Sequence, residues 1–160
     1  MSLKSPSTET INGSDLRVGI VAARFNQVLV DGLLERTLAG LKAFSVPDAS
    51  VEVTRVPGSN EVPIAVQYLA ETRRFDVCIG LGLVIRGDTI HYEIIAHGAS
   101  RALQDVALKT GVPVINGIIV AEDEAQAQGR CAGPVDRGGE FAATAVEMGG
   151  LARASSGHPK

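Results

Sequence analysis

The chain has 160 residues, 45% of them apolar, and a formal charge of −3. That is enough for one domain with a buried core, and the slightly acidic balance lacks the basic footprint that nucleic acid requires. No apolar run approaches a membrane span, the start lacks the apolar core of a signal peptide, and Cys78 and Cys131 have neither metal nor redox spacing.

Reduced thiols in a cytoplasmic protein are the expectation from that cysteine usage. Residues 1–14 are rich in Ser, Thr and Glu and predict a mobile tail. Arg17–Ala23, RVGIVAA, predicts a first buried strand, with Arg24-Phe25-Asn26 as its turn and Asn26 as N-cap of the next helix. Val30, Leu33, Leu34, Leu38, Leu41 and Phe44 recur at three- and four-residue steps and give that helix one apolar face. Pro47 is its predicted stop. Val51–Val56 alternates Val with Glu, Thr and Arg, the pattern of an edge strand wet on one side. Ser59 or Asn60 is expected to cap a helix from about Glu61, with Pro63 tolerated in its first turn.

Val77–Ile85 is a nearly continuous apolar run, as expected of a strand covered on both faces. Arg86-Gly87-Asp88-Thr89 breaks it, and helical spacing resumes through Ile95, Ala99, Ala102, Leu103 and Val106 until Gly111. Pro113–Val120 predicts a fourth strand. A short polar helix from about Glu122 leads to Arg130, a Gly/Pro loop spans Gly129–Gly139, and a last helix runs from Glu140 to about Arg153. Residues 154–160 predict a flexible polar tail, leaving one domain over residues 15–153 with no internal repeat. Four strands alternating with helices imply a four-stranded parallel sheet in a three-layer α/β/α sandwich of flavodoxin-like type. So thinly covered a sheet favours an oligomer.

The turn after the third strand is where open α/β sheets place ligands, and free amides at a helix N-terminus favour anions there. His91 lies in the first turn of that helix; an ordinary tight turn with an exposed histidine is the alternative. The strand ends are expected to bring Phe25, Ser59-Asn60-Glu61, Leu83-Val84-Ile85, Asp88-Thr89 and Asn116 to one rim, a small-molecule pocket with an aromatic wall. Phe25 as core and Glu61 as a dipole-favoured first-turn acid are the rival readings. The rim has no His, Cys or carboxylate cluster at metal-ligand spacing, no Ser-His-Asp arrangement and no dinucleotide fingerprint. Catalysis there must come from positioning and proton transfer. His97 and His158 read as ordinary surface residues.

Gly82-Leu83-Val84-Ile85-Arg86-Gly87-Asp88-Thr89-Ile90-His91-Tyr92 resembles the G-x-V-I-R-G-x-T-x-H-[YF] signature of lumazine synthases. Arg24-Phe25-Asn26, Val56-Pro57-Gly58-x-x-Glu61-x-Pro63, Gly111-Val112-Pro113-Val114, and Arg130 followed by Arg137-Gly138 match in order, so the resemblance covers Arg17 to Leu151. It implies a transferase of riboflavin biosynthesis that condenses 5-amino-6-(D-ribitylamino)uracil with 3,4-dihydroxy-2-butanone 4-phosphate, without metal or organic cofactor. By position, Phe25 stacks on the pyrimidine, the backbone of Ser59-Asn60-Glu61 and Leu83-Val84-Ile85 reads its edges, and Glu61 binds ribityl hydroxyls. Asp88 and Thr89 hold the phosphate and His91 shuttles protons.

Asn116, Arg130 and, as a further candidate, Arg137 correspond to positions that the adjacent subunit contributes. The resemblance thus implies sites between protomers of a homopentamer, twelve of which form an icosahedral capsid in some members. Riboflavin synthase is a candidate protein partner. Two features depart from the family: Arg137 stands where Lys is usual, and RCAGPVDR departs from the usual Gly-Thr-Lys-x-Gly-Asn-Lys pattern. A flavin- or lumazine-binding protein without turnover and a structural shell protein are the other readings. His91 and Arg130 together speak against a passive binder.

Overall fold

The computed structural model describes residues 11–156. Its elements alternate as β1 (Val18–Ala23), α1 (Gln27–Ala43), β2 (Val51–Val56), α2 (Val62–Glu71), β3 (Val77–Ile85), α3 (His91–Thr110), β4 (Val114–Ala121), α4 (Glu124–Cys131) and α5 (Arg137–Ser155). A short 3₁₀ turn, Asp48–Ser50, precedes β2. The strands pair in the order β2-β1-β3-β4, all parallel. This is the three-layer α/β/α architecture that the strand–helix alternation implies.

Strand alternation sorts the core into two layers. On one face Ile20, Ile79 and Leu81 pack with Leu33 of α1, Ala127 of α4 and Ala142 of α5. On the other, Val21 and Cys78 meet Val62 and Val66 of α2 with Leu103 and Val106 of α3. The chain leaves β1 toward β2 over one face and β3 toward β4 over the other. The order therefore reverses between β1 and β3, and that reversal opens a crevice beyond their C-terminal ends.

Several predicted ends move, each for a local reason. Helix α1 stops at Phe44, before Pro47, in a Schellman motif: Ser45 is left-handed (φ 68°), Ser45 N–H donates to Lys42 O and Val46 N–H to Leu41 O. A serine where glycine is usual hid that signal. The cap position of α2 is Glu61, not Ser59 or Asn60, and no side chain caps it. The expected long loop 129–139 shrinks because α4 continues through Cys131 and Asp136 caps α5 by accepting from Gly139 N–H at 2.9 Å. Helix α5 runs on to Ser155, past the expected end at Arg153.

Ile11 packs on the core and the buried Gly13 donates its N–H to Phe44 O at 2.7 Å, so residues 11–14 belong with the packed structure. The mobile-tail expectation for residues 1–10 and 157–160, and the reading of His158, lie outside the described residues. No described helix is long and apolar enough to cross a membrane.

Candidate functional site

The crevice between β1 and β3 is built by loops that lock onto one another. After β1 the chain keeps pairing with the exit of β2: Arg24 N–H donates to Val56 O and Phe25 N–H to Pro57 O. Asn26 then turns left-handed (φ 57°), a conformation its short polar side chain tolerates. Its amide does not cap α1. It donates instead to Leu83 O at 3.1 Å, tying the first loop to the end of β3. The constraint leaves Phe25 72% exposed above the crevice, so the core reading of this ring fails.

The Pro57–Glu61 loop forms the second wall. Ser59 is buried and lies directly on Gly82 of β3, where any side chain would collide with it. Its hydroxyl has no hydrogen-bond partner among the described residues. Glu61 is half-buried; Asn60 Nδ2 donates to its Oε1 at 3.4 Å, and Gly58 leaves room for its other carboxylate oxygen. Leu83 and Val84 are buried at the β3 end, and Ile85 is partly so.

Beyond Ile85 the turn is pinned to β4: Arg86 N–H donates to Ala121 O at 2.9 Å and the Arg86 guanidinium to Glu122 at 2.9 Å. The hydrogen bond to Glu122 raises the Arg86 pKa, and a hydrogen bond to Glu93 raises that of Tyr92. Asp88, Thr89 and His91 are exposed. No side chain caps α3 in the usual way; Thr89 Oγ1 reaches His91 N–H only at 3.4 Å. The start of a 20-residue helix thus faces solvent with its dipole open to an anion.

One chain therefore brings Phe25, Ser59-Asn60-Glu61, Leu83-Val84-Ile85, Asp88-Thr89 and His91 together. It does not bring Asn116 to that rim, which corrects the single-rim expectation. Asn116 pairs with Gly80, five residues before the Ile85–Ala121 rim pair, or about 16 Å at the usual strand rise. It lies exposed on edge strand β4, donating to Ser100 Oγ at 2.9 Å and accepting from Ile118 N–H.

Arg130 sits in the last turn of α4, on the face covered by α1, α4 and α5, and has no hydrogen-bond or ion-pair partner among the described residues. Arg137 is engaged: it pairs with Glu140 and lies 5.2 Å from the centroid of the Phe141 ring. Two concavities flank α3. One of about 340 Å³ runs between α2 and α3, lined by Asn60, Ile64 and Ala102 among others, and one of about 440 Å³ follows α3 to Asn116. Phe25 and His91 line neither of them.

The sequence model of the 6,7-dimethyl-8-ribityllumazine synthase family matches residues 15–153. The chain belongs to that family. A 6,7-dimethyl-8-ribityllumazine synthase of Bordetella petrii is 41% identical over 147 residues, covering 92% of this chain and 82% of the relative. Synthases of Nitrosomonas europaea and Pyrococcus furiosus are each 43% identical over 141 residues, covering 88% of this chain and 84% and 88% of theirs. The signature residues Gly82–Tyr92 span the end of β3, the pinned turn and the open start of α3. Sequence reasoning passed over Asn26 as a loop tie, Gly82 as the seat of Ser59, and the Arg86–Glu122 pair. For Asn26 the signal was available, since asparagine is among the few residues at ease left-handed.

Proposed function

We propose that this chain condenses 5-amino-6-(D-ribitylamino)uracil with 3,4-dihydroxy-2-butanone 4-phosphate, giving 6,7-dimethyl-8-ribityllumazine, phosphate and water. The observation that carries the reading is the rim itself: an exposed aromatic ring, an uncapped helix start and a histidine meet at the switch point of the sheet. Phe25 stacks on the pyrimidine, whose edges are read by the backbone of Ser59-Asn60-Glu61 and Leu83-Val84-Ile85. Glu61 takes ribityl hydroxyls. The amides at Asp88-Thr89 hold the phosphate.

The 5-amino group attacks the ketone and the imine forms with loss of water. Phosphate is then eliminated to leave an enol, which tautomerises to a second carbonyl, and the ribityl-bearing nitrogen closes the ring on it with loss of another water. His91 stands beside the phosphate-binding turn, where it accepts and returns the protons these steps move. Holding the two substrates together supplies much of the remaining acceleration.

The site is completed by a second copy of the chain. Asn116 lies exposed about 16 Å from the rim of its own protomer, and Arg130, half-buried in the last turn of α4, has no hydrogen-bond or ion-pair partner among the described residues, which suits groups delivered to a neighbour. A ring of five copies meets that need, and twelve such rings can close a capsid. The deciding experiment mixes both substrates with purified protein and follows lumazine absorbance. Product should form, and His91→Ala should slow turnover by about 10²- to 10⁴-fold with both KM values little changed. No product from the wild-type protein rejects the reading, and unchanged turnover in His91→Ala removes the proton role.

A further inference from the structure

Helix α4 has only eight residues and a polar sequence, EAQAQGRC, too short to hold itself together without tertiary contacts. Ala127 and Cys131 anchor it in the core. Its C-terminus lacks the left-handed glycine that closes α3 at Gly111; Gln128 O and Gly129 O accept from Ala132 and Val135 N–H, while the carbonyls of the cap residue Ala132 and of Gly133 just beyond it need partners from elsewhere.

Arg36, on α1, supplies them. One guanidinium nitrogen donates to Gly133 O at 2.6 Å and the other to Ala132 O at 2.8 Å. The same fork approaches Asp136 at 3.8 Å, and Asp136 caps α5. Around it the packing is backbone-close. A side chain at Gly138 would strike the Arg36 stem and Leu33 O, and one at Gly32 would press on Ala132. The α4–α5 connection thus rests in a cradle on α1 with Arg36 at its centre. A positive fork at a helix C-terminus also suits the dipole.

Arg130 lies two residues before Ala132 and has no partner of its own among the described residues. Its direction is set by where the last turn of α4 ends. We propose that Arg36 is a positioning residue for substrate binding: by holding the carbonyls of Ala132 and Gly133 it aims Arg130 at the phosphate of the four-carbon substrate bound in the neighbouring copy. The inference rests on the reading of Arg130 as that phosphate ligand.

The test is steady-state kinetics with each substrate varied, on the wild type, Arg130→Ala, Arg36→Ala and Arg36→Lys, with assembly checked by light scattering. Arg130→Ala should raise KM for 3,4-dihydroxy-2-butanone 4-phosphate by about 10- to 150-fold, the loss of one charged hydrogen-bonding partner. Arg36→Ala should raise the same KM by about 2- to 30-fold, as expected of a residue acting through another, and leave the pyrimidine KM unchanged. Arg36→Lys, which keeps the charge and stem but not the fork, should fall between it and wild type. If Arg130→Ala raises the phosphate KM and neither Arg36 variant does, the positioning role is overturned while Arg130 keeps its own. If Arg130→Ala leaves that KM unchanged, the reading of Arg130 falls first. Equal rises in both KM values, or loss of both Arg36 variants as soluble protein, would assign Arg36 to stability alone.

Discussion

The contact between Gly82 and Ser59 offers a sharp test of how the rim is built. Gly82 lies on the β3 face that carries α2 and α3, and a Cβ there would enter the shell of the Ser59 hydroxyl and lie 3.2 Å from Ser59 Cβ. Carbon pairs prefer about 3.5–4.0 Å, and the short serine side chain cannot swing clear because its own Cβ is involved. In Gly82→Ala the Pro57–Glu61 loop must therefore lift from the sheet. Overpacking of this kind costs about 1–3 kcal/mol. For a chain of this size that corresponds to a Tm lower by roughly 2–12 °C, compared at one protein concentration because assembly adds its own stability.

Since the lifted loop carries Ser59-Asn60-Glu61, the pyrimidine KM should rise more than that of the phosphate substrate. Adding Ser59→Gly removes both clashing atoms, together with a buried hydroxyl that has no partner among the described residues. The double variant should recover most of the lost Tm and of the pyrimidine KM. A Gly82→Ala protein as stable as wild type, or a double variant with no recovery, would refute the argument that this contact seats the loop.

Phe25→Ala should leave Tm almost unchanged, because the ring is already in solvent, yet lower pyrimidine affinity by about 1–3 kcal/mol as measured by titration calorimetry. Loss of stability with unchanged affinity would make the ring a packing residue. Burial pushes the Cys78 thiol from 9.0 up to about 12. Above pH 9 the unfolded chain therefore releases a proton that the folded chain keeps, so stability falls by about 1 kcal/mol per pH unit from about 9 toward 12. Burial moves Cys131 the same way, so urea midpoints of Cys78→Ala, compared with wild type between pH 8 and 10.5, should isolate the Cys78 share as a shallower slope. A parallel slope would mean Cys78 does not resist ionisation. Light scattering should find the active protein no smaller than five chains, and an active monomer would contradict a shared site.

The alternation of buried strands and amphipathic helices, the loop-to-helix turn after Ile85 and the family signature were all legible in the chain, because each is carried by neighbouring residues of strong local preference. Gly111 ends α3 as its type demands. What the chain did not disclose was decided by contacts across many residues. Asn26 looks like a helix cap until Leu83 O, 57 residues away, offers its amide a better partner. Ser59 also looks like a cap, but the bare surface of Gly82 draws it into the core. Asn116 reads as a rim residue on a strand expected to end at the rim, and only the β3–β4 register sets it five residues too early. Arg36 reads as an ordinary charge on α1; the structure brings it to two carbonyls 96 and 97 residues later. Local sequence determines which elements form and where most of them end. The partner of each polar side chain depends on register and on where glycine lets backbones touch, and those are properties of the packed whole.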